Sequence, residues 1–438
     1  MHFKLVLSSP ASFSERGVEL KRIITLSVLL IFTTIAISDS IFGYPIDGYA
    51  LSAIRRLERL RRILADEIKG TKPEAGGQRS INDIRLHLLG ARGDSVATLP
   101  PVDAALQKEI DKLFPNRDES YSLVLLDITP GKPVRYAERH PNRQFSPGSV
   151  GKLAVIAGLF TELRTIFPDS VESRHQLLRT RMVVADKWIR SDEHEVPVFD
   201  PETGKYANRA AKEGDVFSLY EWADHMLSAS ANSAASIVWK EALLMRAFGP
   251  DYPPTPEQEQ EFFAKTPKKQ LGDMAFAIVN EPLRAIGIEE RDWQLGSFFT
   301  YMASKDILSG RGSFASPKGL LQYLVSVERG KVVDEWSSLE IKRLMYMTAR
   351  RIRYASAPRL KDAAVYFKSG SLYRCKAEPG FKCDKYKGNV ENGMNSVAIV
   401  EHPEGRTYLV GLMSNVLYKN SAVEHQTLAT YIDRILAK

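Results

Sequence analysis

A serine and a lysine three places apart carry the first hint of chemistry in this chain. Ser146-Pro147-Gly148-Ser149-Val150-Gly151-Lys152 runs directly into the apolar stretch Leu153-Ala154-Val155-Ile156-Ala157-Gly158-Leu159-Phe160. Pro147 and Gly148 make a turn, which sets Ser149 at a helix start and Lys152 one turn later on the same face. A serine hydroxyl is a poor nucleophile at neutral pH. A lysine on an almost wholly apolar helix loses hydration, which disfavours its charged form and frees it to accept a proton. The unpaired N–H groups of the helix start face any developing oxyanion. The plainer reading makes Ser149 an N-cap and Lys152 a surface lysine. No other serine in the chain is followed by lysine at the third place.

Two further clusters lie downstream. Ser230-Ala231-Asn232 sits in a run of small and polar residues, 228–236, between two expected helices. The first of these opens on the capping box Ser218-Leu219-Tyr220-Glu221, and the second reaches Ala247. A short polar connection between helices suits a site wall, or else is an ordinary Ser/Asn cap. Lys368-Ser369-Gly370-Ser371 ends an expected strand that begins at Ala363, leaving a charge, two hydroxyls and a glycine at the strand's end. The eight histidines show no H-x-H or H-x-x-x-H spacing, and Asp192-Glu193-His194-Glu195 reads as a solvated loop. No metal and no cofactor are expected.

These clusters need a scaffold, and the chain has the length for one: 438 residues, 44% of them hydrophobic, can bury a large core. The formal charge of +7 is modest and partly local, because five arginines and one glutamate crowd residues 55–62. Without zinc-finger spacing, RNP-like aromatics or a phosphate-cradling glycine loop, it does not indicate nucleic-acid binding. Tyr121 to Ile128 reads as a buried strand, Pro130-Gly131 as a turn and Val134 to Ala137 as its hairpin partner. Later strands are expected at 396–400 and 407–413, and a closing helix at 422–436. The helix after Ser149 is apolar nearly all round, so it should be buried in the interior, with the nucleophile in a cleft between two lobes. Residues 248–270 read as a surface insertion, and the whole as α+β layering.

The N-terminus carries Lys21-Arg22 and then apolar or small residues from Ile23 to Ile37. Residues 1–38 are read as a signal peptide or a membrane anchor, which implies a periplasmic or other extracytoplasmic location, with tethering to the inner membrane as the alternative. Residues 39–99 follow as a basic amphipathic helix and linker; Ile54, Leu57, Leu60, Leu64 and Ile68 form its apolar stripe, and the arginine face could rest on an anionic membrane surface. Cys375 and Cys383, the only cysteines, read as a local disulfide in an exported protein.

Ser149-Val150-Gly151-Lys152, Ser230-Ala231-Asn232 and Lys368-Ser369-Gly370 resemble, in order, the S-x-x-K, S-D-N and K-T-G elements of class A serine β-lactamases and penicillin-binding proteins, the D,D-peptidase superfamily. The resemblance covers roughly residues 100–438, the expected catalytic domain. It implies a β-lactamase/transpeptidase-like fold, with an antiparallel sheet flanked by helices and an all-helical lobe. It implies Ser149 as nucleophile, Lys152 as base and Ser230 as the group that passes a proton to the leaving nitrogen. Asn232 would bind the acyl amide, while Lys368, Ser369 and Ser371 would hold the substrate carboxylate. Backbone N–H groups of Ser149 and Ser371 would form the oxyanion hole, and Gly370 would admit the substrate backbone. The partner implied is a peptidoglycan stem peptide ending in D-Ala-D-Ala, or a β-lactam. Two departures stand out. Ala231 replaces the usual acid, and the E-x-x-L-N string of class A enzymes is missing, which leaves Glu289, Glu290 and Asp292 as candidates by position alone. Slow turnover of an acyl-enzyme therefore favours a penicillin-interacting D,D-peptidase over a class A-type β-lactamase. The remaining alternative is a non-catalytic cell-wall binding module.

Overall fold

A computed structural model describes residues 44–307, 310–348 and 350–438; the expected signal or anchor at 1–38 lies outside the described residues. Helices of two turns or more span Arg55–Leu64 (α1), Ala104–Asp111 (α2), Lys152–Ile166 (α3), Val171–Thr180 (α4), Leu219–Leu227 (α5), Asn232–Phe248 (α6), Pro256–Lys265 (α7), Lys268–Ala285 (α8), Pro317–Glu328 (α9), Glu335–Met345 (α10) and Ala422–Leu436 (α11). The main sheet comprises Ser122–Asp127 (β1), Arg135–Arg139 (β2), Ala364–Arg374 (β3), Glu391–Glu401 (β4) and Thr407–Asn415 (β5). Its order is β2-β1-β5-β4-β3, antiparallel throughout, with β3 on one edge. The class is α+β. Among the described residues no helix is long and apolar enough to cross a membrane.

The period of two along each strand divides the core. Leu123, Leu125, Val365, Phe367, Val410 and Leu412 face α2 and α11, meeting Leu106, Ile110, Leu428 and Ile432. Val124, Leu126, Val397, Ile399, Leu409 and Met413 belong to the larger core on the other face, with α3, α5, α6, α8 and α9. Helix α3 lies inside that core. From Lys152 to Phe160 every residue is buried, as expected of a helix apolar all round. Gly158 lets α8 come close, since a Cβ there would stand 2.8 Å from the Ile278 carbonyl oxygen.

Residues 44–99 contain the expected helix, as α1, and several short helical turns around it. They pack on the body of the domain, and the compact unit shows no break near residue 100. Leu57, Leu60 and Ile63 of α1 are buried, as its periodicity requires. Four of its five arginines, however, meet protein carboxylates, and Arg59 lies over the Tyr206 ring. Arg56 pairs with Asp224 at 2.5 Å with both side chains buried, Arg55 with Glu221 at 2.9 Å, and Arg61 and Arg62 with Glu58. Composition shows a basic face without showing that α5 brings acids to it. Gly76 and Gly77 are likewise buried against backbone, where a Cβ on either would lie 2.0 Å from the carbonyl oxygen of Ala363 or Thr348. The stretch 248–270 holds α7, started by a capping box between Thr255 and Gln258.

Candidate active site

Ser149 lies on a 3-10 turn, Gly148–Gly151, and α3 begins at Lys152. The sequence places Ser149 on the α-helix itself; the tighter turn serves the same end, because residues i and i+3 eclipse in 3-10 geometry. Lys152 Nζ stands 3.1 Å from Ser149 Oγ. The turn is fixed from the sheet: Asn395 of β4 donates its side-chain amide to the carbonyls of Ser146 at 2.8 Å and Pro147 at 3.1 Å. Two glycines allow backbone to touch backbone. A Cβ at Gly370 would lie 2.2 Å from the Pro147 oxygen and 2.8 Å from the Ser149 nitrogen, and one at Gly148, where φ is +50°, 2.8 Å from the Ser371 nitrogen. The middle of β3, which runs on to Arg374 and not only to Ser371 as expected from sequence, is thereby pressed against the serine turn, with the amides of Ser149 and Ser371 in one neighbourhood.

The other two clusters converge on this point. Lys152 Nζ donates to the Ser230 carbonyl at 2.5 Å and to Asn232 Oδ1 at 2.7 Å. Lys368 Nζ donates to Ser230 Oγ at 2.7 Å and to the Ser369 carbonyl at 3.3 Å. Ser149, Lys152, Ser230, Asn232 and Lys368 are therefore joined by direct hydrogen bonds, although 219 positions separate the first from the last. Ser369, Gly370 and Ser371 follow on the same strand. Ser230 itself takes a left-handed backbone, φ +60°, rare for a residue with a side chain and held here by the contacts around it.

Charge sets the state of these groups. Burial pushes Lys152 down to about 7, and the carboxylate of Asp192 pulls the other way. Lys368 is lowered well below the usual lysine value by burial, then by the charges of Lys152 and Arg353. A neutral Lys152 has two N–H groups and one lone pair. Ser230 O and Asn232 Oδ1 occupy the two hydrogens, and the lone pair is left for the Ser149 hydroxyl. That is the arrangement of a base.

Several residues at the site were not singled out from sequence. Arg353, left-handed at φ +51°, donates to the Gly370 carbonyl at 2.9 Å and to Ser371 Oγ at 3.0 Å, and packs on the Tyr386 ring at 5.1 Å. No periodicity marks it, since it lies in an irregular stretch. Phe299 covers Lys152, with Nζ 4.9 Å from the ring centre, and Leu295 borders Gly151. These two come from the segment that carries the acidic candidates, but the acids point elsewhere. Glu289 is exposed and pairs with Arg291, Glu290 is exposed, and Asp292 is buried against Ser316, whose hydroxyl it accepts at 3.2 Å. Cys375 and Cys383 form a disulfide, Cα to Cα 6.0 Å, in the loop after β3. Among the described residues no group of His, Cys, Asp and Glu is placed to hold a metal ion. A cavity of about 650 Å³ lies elsewhere, lined by Met182, Val184, Trp188, Lys240, Phe263 and Leu271 among others; its Lys240 is already paired with Asp186 and Glu259.

No family model matches the chain, and no curated protein matches it. Solved structures do. One is a representative class A beta-lactamase from Bacteroides cellulosilyticus DSM 14838, 15% identical, covering 76% of this chain and 96% of that one at a TM-score of 0.48. Another is a beta-lactamase from Chitinophaga pinensis DSM 2588, 15% identical, covering 76% and 97% at 0.48. A mutant of PBP-A in acyl-enzyme complex with penicillin G is 14% identical, covering 77% and 98% at 0.47. At such identities and TM-scores these likenesses bear on neither activity nor substrate.

Proposed function

We propose that the chain is an exported active-site serine hydrolase that forms an acyl-enzyme with D-Ala-D-Ala peptides or β-lactams, in the manner of a penicillin-interacting D,D-peptidase. The observation that carries this reading is the base geometry at Ser149: a lysine held near neutrality, with its two N–H bonds spent on Ser230 O and Asn232 Oδ1 and its lone pair toward the hydroxyl. Ser149 Oγ attacks the carbonyl carbon as its proton passes to Lys152, and the oxyanion is received by the N–H groups of Ser149 and Ser371. The C–N bond then breaks. Ser230 gives its proton to the departing nitrogen, and Lys368, 2.7 Å away and held in its ammonium form by the substrate carboxylate bound beside it, replaces that proton. Lys368, Ser369, Ser371 and Arg353 hold the substrate carboxylate. Two lysines and an arginine in a buried site with so little opposing charge favour an anionic ligand, which supplies the missing counter-charge. Lys21-Arg22 with the apolar run after it, together with the disulfide, supports export.

Deacylation is the slow half of this cycle. Phe299 and Leu295 offer no base, and Glu289, Glu290 and Asp292 are turned to other partners or to solvent. Incubating the purified protein with benzylpenicillin and following intact mass should show an adduct that persists for many minutes, and the Ser149→Ala variant should show none. Loss of the adduct within seconds, with hydrolysed penicillin in solution, would make the protein a β-lactamase. No adduct, and no D-alanine released from a D-Ala-D-Ala peptide, would leave a non-catalytic binding module.

A further inference from the structure

Asp192 belongs to the run that reads from sequence as a solvated acidic loop, yet its side chain is 2% exposed. One oxygen accepts the backbone N–H of Ser233 at 2.7 Å; the other takes His194 Nδ1 at 2.6 Å and the His194 N–H at 3.2 Å. Ser233 is the second residue of α6, whose own N-cap, Ala231, has no side chain able to cap. Asp192 therefore caps α6 from outside, at the residue after Asn232. Lys152 holds the same corner, at Ser230 O and Asn232 Oδ1. Lys152 and Asp192 thus clamp the four residues 230–233, one of which, Ser230, holds a left-handed backbone.

We propose that Asp192 is a positioning residue of the acylation site: it caps α6 in place of Ala231, keeps Ser230 and Asn232 where Lys152 can hold them, and balances the charge of Lys152. The proposal rests on the hydrolase reading for its functional meaning and on the clamp for its geometry. A helix start concentrates partial positive charge, and an unopposed α6 terminus would add to the two lysines already there. Asp192 offsets that terminus. Burial alone would raise its carboxyl group; His194 and the Ser233 N–H overcome burial and hold it at about 2, so it is an anion throughout the range in which Lys152 titrates. The charged groups that act on Lys152 and its neighbour are Asp192 on Lys152, and Lys152 and Arg353 on Lys368; His194 faces Asp192.

Two variants separate the cap from the charge. Asp192→Asn keeps an oxygen for the Ser233 N–H and removes the anion; Asp192→Ala removes both. In the full-length protein carrying ¹³Cε-lysine, with the Lys152 signal assigned by its loss in Lys152→Arg, the midpoint of Lys152 should move about one to two pH units toward acid in Asp192→Asn, because the ammonium loses its counter-charge. The acid limb of benzylpenicillin acylation should move with it. Asp192→Ala should acylate more slowly than Asp192→Asn at every pH, as Ser230 and Asn232 lose their anchor. A Lys152 midpoint unchanged in Asp192→Asn would overturn the charge role, and equal acylation by the two variants would overturn the anchoring role. Should the wild-type protein form no adduct, the hydrolase reading falls, while the lysine titration still decides whether Asp192 balances Lys152.

Discussion

Replacing Lys152 by methionine tests the electrostatic core of the site without relying on turnover. Lys152 is fully buried and titrates at about 7 in the folded protein against 10.5 for an ordinary lysine. Below pH 7 both folded and unfolded chains carry the charge, and the fold bears the whole penalty of burying it. Between 7 and 10.5 the unfolded chain still binds the proton and the folded one does not, so stability rises with pH across this window. The difference of 3.5 pH units corresponds to about 5 kcal/mol in all, or roughly 1.4 kcal/mol per pH unit. Methionine fills a similar volume and does not titrate. Denaturant unfolding of wild type and Lys152→Met at pH 7 and pH 9 should therefore show the wild type gaining about 3 kcal/mol on the variant. Lys368 is also eased once its neighbour's charge is gone, which steepens the difference in the same direction. At pH 6 the variant should be the more stable of the two, although it leaves Ser230 O and Asn232 Oδ1 without their donor. Parallel stability curves for the two proteins would refute the argument: Lys152 would then be an ordinary cation and not a base.

Two further outcomes follow from the geometry. Gly370→Ala would drive a methyl group to 2.2 Å from the Pro147 oxygen, so it should lower acylation by benzylpenicillin about a hundredfold or more by parting β3 from the serine turn; acylation at the wild-type rate would show that the strand and the turn are not in backbone contact. Arg353→Ala removes two hydrogen bonds to β3 and a charge facing the carboxylate, worth about 1.5–3 kcal/mol, or roughly ten- to 150-fold in the second-order acylation rate constant. That loss should shrink when benzylpenicillin methyl ester replaces the acid; an equal loss for both would make Arg353 a strut of the strand alone.

What could be read from sequence was whatever the chain states locally. Ser149 with Lys152, and Lys368 with Gly370, are short strings whose spacing already encodes geometry, and the closing helix and last two strands follow their hydrophobic periods. Asp192 and Arg353 were illegible for the opposite reason. An aspartate in a run of acids looks solvated, and only the arrival of the α6 terminus, forty-one positions on, turns it into a buried cap. Arg353 sits in an unpatterned stretch with a left-handed backbone that its residue type does not suggest. The arginines of α1 repeat the lesson, since Glu221 and Asp224 become their partners only through tertiary packing.

The proposed base at Ser149 and the proposed slowness of deacylation have one physical source. A carboxylate near enough to activate water on the acyl-enzyme would stand about 4 Å from Lys152, and at an effective dielectric near 20 its attraction would be about 4 kcal/mol, or roughly three pH units. Such a group would return Lys152 from about 7 to near the ordinary lysine value and protonate the base that acylation needs. Asp192 is not such a water-activating base, because both its oxygens are already spent, on Ser233 and on His194. On the proposed reading, a site that admits no carboxylate near its acylating base except the fully hydrogen-bonded Asp192 gives up, by the same step, the most direct means of releasing its acyl group.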